Sequence, residues 1–303
     1  MQLLKRVAVT MAALGLLWAG TAGAQGAAEK AYEQGLKEAI QGKFAEAKTA
    51  FAEALKAEPG FLAAKNCLEI VDDVEAQKIK KPAAVQIFKG TSLAHQGKVD
   101  EALAALEQAV KLDPKYATGY HLRGILRREK GSLIGALDDF DQALKLNPKL
   151  AYAWVSRAMA WAAVGDYEMA INYYNKALEL DPTYADAFCN RGVAYTQKGD
   201  IPRALADFDK ALELNPKSAD YHTNRGNAYR QKGDLEKALA DFKEALALNP
   251  ASAEAYFNQA LTYEGSGKKK EAREAYENFI KNSPAQFQEG IKHAQERIKA
   301  LKD

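Results

Sequence analysis

The chain has 303 residues, of which 48% are hydrophobic, 42 are basic and 40 acidic. A balance this close to neutral excludes the uniform positive field by which proteins hold nucleic acid or anionic membrane surfaces. Cys67 and Cys189 are the only cysteines and stand in no metal-ligand spacing, so a disulfide-built fold is excluded too.

At the N-terminus Lys5 and Arg6 precede an uncharged run, residues 7–20, that is too short to span a bilayer comfortably. Small residues follow at Ala22 and Ala24. The pattern predicts a cleaved secretory signal over residues 1–24, a mature start at Gln25, and a periplasmic or secreted protein of a bacterial envelope without stable membrane insertion.

Beyond the signal, three residue types share one period. Prolines stand at Pro114, Pro148, Pro182, Pro216, Pro250 and Pro284, each at the same distance in sequence from the last. Glycines keep step at Gly97, Gly131, Gly165, Gly199, Gly233 and Gly267, and alanines at Ala102, Ala136, Ala170, Ala204, Ala238 and Ala272. An earlier unit repeats the same spacings with Gly42, Ala47, Phe51, Ala54 and Pro59. Such a period marks an array in which no unit buries its apolar face alone.

The units resemble the tetratricopeptide repeat family, whose helix-turn-helix unit is about 34 residues long. One copy reads Trp154, Ala158, Trp161, Gly165, Tyr167, Ala170, Tyr174, Ala177 and Pro182; the next reads Phe188, Gly192, Tyr195, Gly199, Ala204, Phe208, Ala211 and Pro216. The resemblance implies an all-α, right-handed superhelical solenoid. Its repeats would cover residues 28–59 and, as six contiguous copies, 83–284. Departures stand at Glu38 and Arg127, where an aromatic is usual, and at Phe279, where Ala is usual.

The period fails once: Pro59 and Pro114 lie farther apart than one repeat, so residues 60–82 are extra. They predict one long linking helix from Phe61 to Lys81, with the first repeat and this helix forming a separately angled N-terminal part. After Pro284, apolar residues at Phe287, Ile291, Ala294, Ile298 and Leu301 predict a capping helix within residues 285–303.

No catalytic, cofactor or metal motif is present, and the chain reads as a binding protein rather than an enzyme. His95, His121, His222 and His293 are widely separated and read as surface or groove polar residues. Asp138, Asp139 and Asp141 read as a solvated face. With positions 4, 7, 8 and 11 of each repeat used in packing, positions 2, 5, 9 and 12 of the first helix are expected to line a concave groove. These are Ile87 and Thr91, then His121, Ile125 and Arg128, then Tyr152, Val155, Met159 and Ala162, then Asp186, Cys189, Val193 and Thr196, then Asp220, Thr223, Asn227 and Arg230.

The apolar centre, Ile125, Tyr152, Val155, Met159 and Val193, is the expected docking patch for a protein or peptide partner. Asn190, Asn224 and Asn258 at position 6 resemble the asparagine ladder by which some family members hold an extended peptide. The carboxylate clamp of chaperone-docking members is not reproduced, because Thr223 precedes Asn227 where Lys would be required. Self-assembly through the end repeats, and carriage of an apolar small molecule, stand as alternatives.

Overall fold

The computed structural model describes residues 22–284 and 287–301, and the regular elements among them are sixteen helices. The expected signal lies outside the described residues except for Ala22–Ala24, with which the first helix begins. The chain divides into two compact units, one ending at Ala160 and the other beginning at Trp161.

The N-terminal unit holds α1 (Ala22–Ile40), α2 (Phe44–Ala57), α3 (Leu62–Glu75), α4 (Lys81–His95), α5 (Val99–Leu112), α6 (Ala117–Glu129), α7 (Leu133–Leu146) and most of α8 (Ala151–Ala163). The C-terminal unit holds α9 (Tyr167–Leu180), α10 (Ala185–Gln197), α11 (Ile201–Leu214), α12 (Ala219–Lys232), α13 (Leu235–Leu248), α14 (Ala253–Gly265), α15 (Lys269–Asn282) and α16 (Gln288–Ala300).

Within each unit successive helices form antiparallel hairpins. The periodic glycines close them: Gly131 and Gly199, for example, have φ of 81° and 79°, a left-handed region costly for any side chain with a Cβ. The Asp residues after three of these glycines then cap the second helices, Asp166, Asp200 and Asp234 accepting from the backbone N–H of Met169, Arg203 and Lys237. Pro202 sits in the first turn of α11, where a missing N–H costs nothing.

Between paired helices one fully buried ring fills the gap: Phe51, Phe140, Phe208 or Phe242. A glycine lets the ring in. A Cβ at Gly124 would lie 2.7 Å from Phe140 Cε1, and one at Gly192 would lie 2.8 Å from Phe208 Cε1. The aromatic period and the small-residue period of the sequence are thus two sides of one contact.

The extra segment departs from expectation in two ways. It forms a 14-residue helix, Leu62–Glu75, not one reaching Lys81. The chain turns at Gln77, whose φ is 56°, while the N–H groups of Gln77 and Lys78 donate back to Val74 O and Asp73 O at 3.1 and 2.8 Å. This is a helix-ending turn of the kind usually given to glycine.

The first repeat shares its core with the helices that follow it. One core joins Tyr32 and Leu36 of α1, Phe51 of α2, Ile70, Val71 and Val74 of α3, and Phe88 of α4; Phe51 and Phe88 stack at 5.9 Å. The Tyr116 hydroxyl donates to Asp73 at 2.9 Å, and the Lys80 N–H donates to Asp113 at 2.9 Å. Apolar burial on both sides of α3 outweighs the broken period. At the other end of the chain α16 lays Ala294 and Leu301 on Tyr276 and Phe279, so Phe279 fills space opened by an added helix.

Candidate functional site

First helices carry two kinds of position: those that bind the neighbouring repeat and those left over. Position 5 belongs to the first kind. Ile87, His121, Val155, Cys189 and Thr223 are all buried. Two of them meet position 6 of the following repeat. His121 Nε2 and Ser156 Oγ share a hydrogen bond at 2.9 Å, and the Asn224 amide donates to Cys189 Sγ at 3.4 Å.

This changes the predicted groove. Ile125 is fully buried in a cluster with Ala136, Phe140 and Ala160, and Val155 is buried as well, so neither is a surface a partner can reach. Position 5, and in the repeat of Ile125 position 9, is covered by neighbouring side chains. The asparagine ladder is likewise partly spent. Asn224 is held by Cys189 and Asn258 is buried, whereas Asn190 stays half-buried.

What remains on the first-helix faces is, in the N-terminal unit, Tyr152 and Met159, both half-buried. The Tyr152 hydroxyl shares a hydrogen bond with Thr118 Oγ1 at 3.2 Å, and burial pushes its phenol up. In the C-terminal unit Asn190 and Val193 are half-buried, and Asp186 and Asp220 are exposed at position 2 of neighbouring first helices. Asp186 accepts from the Tyr221 hydroxyl at 2.5 Å. Although the Asp220 side chain reaches solvent, the protein packed around its carboxyl and the charge of Asp186 raise it. Among the described residues no cation pairs with either carboxylate.

A second system looks like surface charge in the sequence and is structural. Arg123 donates through Nε and Nη2 to both oxygens of Asp139, with Nη2 to Oδ1 at 2.6 Å, and through Nη1 to Glu107 of the preceding second helix at 2.9 Å. Arg191 does the same with Asp207 and Asn175, and Arg225 with Asp241 and Asp209. Each arginine therefore staples its own hairpin by a two-toothed ion pair and reaches the one before it with a single bond from Nη1.

Asp139 is thus buried, not part of a solvated face. Arg127, at a position where an aromatic is usual, turns to the same carboxylate at 2.9 Å. Burial works to raise Asp241, but the hydrogen bonds from His222 and Arg225 outweigh it and hold the carboxyl below its usual value. The signal is present in the sequence: Arg123, Arg157, Arg191 and Arg225 recur once per repeat, and an acidic or amide partner follows or precedes by 16.

The histidines follow the same logic. Burial, helped by the charge of Arg128, pushes His121 down to about 3, so the ring is neutral and structural. Among the described residues no group of three or more His, Cys, Asp or Glu side chains is placed to hold a metal ion. No described helix is long and apolar enough to cross a membrane.

Within each unit the helices stack as repeated antiparallel hairpins, the architecture of a helical repeat protein. Residues 90–131, 160–199 and 226–267 match the TPR repeat, and residues 185–218, 208–240 and 254–285 match the Tetratricopeptide repeat, together more than half of the chain. The chain belongs to the tetratricopeptide repeat family. As such it is a protein–protein interaction scaffold, of a family that is in general non-catalytic.

Among solved structures the chain is similar in fold to the Cut9-Hcn1 hetero-tetramer of the APC/C, with a TM-score of 0.67 and 20% identity over 86% of this chain and 53% of that one. The chain therefore spans about half the length of that neighbour. A tetratricopeptide repeat protein from Parabacteroides merdae superposes with a TM-score of 0.60 and 19% identity over 91% of this chain and 99% of its own. A thermophilic TPR protein of Thermus thermophilus, TTC0263, gives 0.53 and 22% over 59% of this chain and 98% of its own. No curated protein matches the sequence.

Proposed function

We propose that the chain is an exported adaptor that binds an extended peptide segment of a partner protein along its first-helix faces. Export rests on the charged start, the short apolar run and the small residues at Ala22 and Ala24. The observation that carries the binding reading is the set of first-helix side chains that the fold leaves at least partly open to solvent. These are Tyr152 and Met159 in one unit, and Asn190, Val193, Asp186 and Asp220 in the other.

Each kind suits one feature of an extended chain. Tyr152 and Met159 offer apolar area that loses water on contact. Asn190 can donate to and accept from a peptide backbone at once. Asp186 and Asp220 lack a cation of their own, so the bound segment carries Lys or Arg opposite them; a like-charged pair on neighbouring first helices is relieved by such a partner.

The test is site-specific photocrosslinking in the native envelope, with the reactive residue in place of Met159, of Val193 or, as a control on a second helix, of exposed Lys176. The reading predicts one partner captured at Met159 and Val193 and not at Lys176. Capture confined to a second copy of this chain at the end repeats would replace it with self-assembly.

A further inference from the structure

The end of each second helix is built the same way in five repeats and differently in the first. At Asp113, Asn147, Asp181, Asn215 and Asn249 a short side chain folds back to accept the backbone N–H two residues on, at 2.9 to 3.4 Å. The corresponding residue of the first repeat is Glu58, the C-cap of α2, one methylene too long for this turn. Its side chain goes inward instead. Glu58 is 5% exposed, and its Oε1 is buried with no hydrogen-bond partner.

A buried carboxylate with an unpaired oxygen is costly, whereas a carboxylic acid is tolerated there. Titratable groups at this corner include Glu29 and Tyr32 of α1, His95 of α4 and Cys67 of α3. None of them supplies Glu58 with a permanent positive charge. Glu29 adds a negative one, and His95, whose Nε2 lies 3.6 Å from Glu29 Oε1, is committed to Glu29 when it carries a proton. Tyr32 is fully buried, its ring 5.1 Å from that of Phe61 and 6.0 Å from that of His95. Lys56, on the same helix as Glu58, is exposed.

We propose that Glu58 is a proton-operated latch at the N-terminal edge of the array: protonated, it closes the junction of α1, α2 and α3, and as a carboxylate it loosens that junction. Glu58 sits at the joint between α2 and the one helix that breaks the period, so loosening acts where α3 is inserted and not on the regular repeats. Burial, with the charge of Glu29, brings the Glu58 carboxyl up to about 7, which sets the working range.

The sign follows from linkage. A carboxyl raised on folding favours the closed form at low pH, and this preference is lost as pH rises from the unfolded value, about 4.5, to the folded value. Opening of the junction should therefore increase by tens-fold between pH 5 and pH 8, and change little above that.

The test is hydrogen exchange of the intact protein over residues 44–75 at pH 5, 6, 7 and 8, taken as the ratio of parent to Glu58→Gln at each pH. The ratio cancels the intrinsic pH dependence of exchange and any contribution of His95. The expected result is a ratio near one at pH 5 that climbs steadily by tens-fold to pH 8, while residues 201–248 keep a ratio of one throughout. Carbon NMR of the Glu58 carboxyl provides a second reading and should show titration near neutrality. A ratio flat across the range, or a carboxyl that titrates as an ordinary exposed glutamate, overturns the proposal.

Discussion

Asp138 and Asp139 are neighbours in one acidic run, yet only one of them faces solvent, so removing each to alanine separates fold from surface charge. Asp139, with a side chain 3% exposed, accepts from Arg123 and Arg127, and the Arg123 side chain is itself 11% exposed. Stripping one partner from a buried ion pair typically costs about 3–5 kcal/mol, because the other charge stays behind without it. Arg123 keeps Glu107 at 2.9 Å and Arg127 is partly solvated, which places Asp139→Ala near the low end, about 3 kcal/mol. Asp138→Ala, an exposed surface change, should stay within about 0.5 kcal/mol.

The assay is urea unfolding followed by circular dichroism. Hydrogen exchange over α6 and α7 serves as a local reading, since a repeat array need not unfold in one step. Equal losses for the two variants would refute the stapled-hairpin reasoning. So would a loss at Asp139→Ala that leaves α6 and α7 as protected as before.

Gly192→Ala places a methyl 2.8 Å from Phe208 Cε1 and 3.1 Å from Ala204 O, and should cost about 1–3 kcal/mol by thermal melting. Gly119→Ala, where the nearest atom is a Val110 methyl at 3.3 Å, should cost clearly less in the same measurement. His121, lowered on folding to about 3, opposes acid: stability should fall by about 1.4 kcal/mol per pH unit below the unfolded histidine value of about 6.5. His121→Gln should remove that slope when parent and variant are melted at matched pH. Cys67 and Cys189 are buried free thiols raised by burial, Cys67 to about 12. Mass spectrometry after iodoacetamide at pH 8 should find both unmodified in the native protein and both alkylated in urea.

The array is legible in the sequence because its signals are local and repeated. Gly at each hairpin turn, a small residue facing a ring and Asp at a helix start each answer a backbone or packing demand that returns with every repeat. The groove is less legible, because a helical wheel gives the faces of one helix and not what its neighbours cover. Those neighbours bury Ile125 and Val155 and tie Asn224 to Cys189, while leaving Tyr152, Met159 and Val193 partly open. Asp139 is misread for the same reason: charge in a single helix reads as solvent, and only the partner 16 residues away, Arg123, explains its burial. The end of α3 escapes because Gln77 adopts a left-handed turn that sequence assigns to glycine.

The measurement closest to the central claim is the affinity of the crosslinked partner segment for the intact protein carrying Met159→Glu, compared with Lys176→Glu. Met159 lies on the half-buried first-helix face, and Lys176 on an exposed second helix where it forms a solvent-facing ion pair with Glu179. Placing a charge in a contact that must lose water predicts a loss on the order of 2 kcal/mol for Met159→Glu, with helicity unchanged and Lys176→Glu near parent affinity. Parent-like binding by Met159→Glu would contradict a partner seated on the first-helix faces.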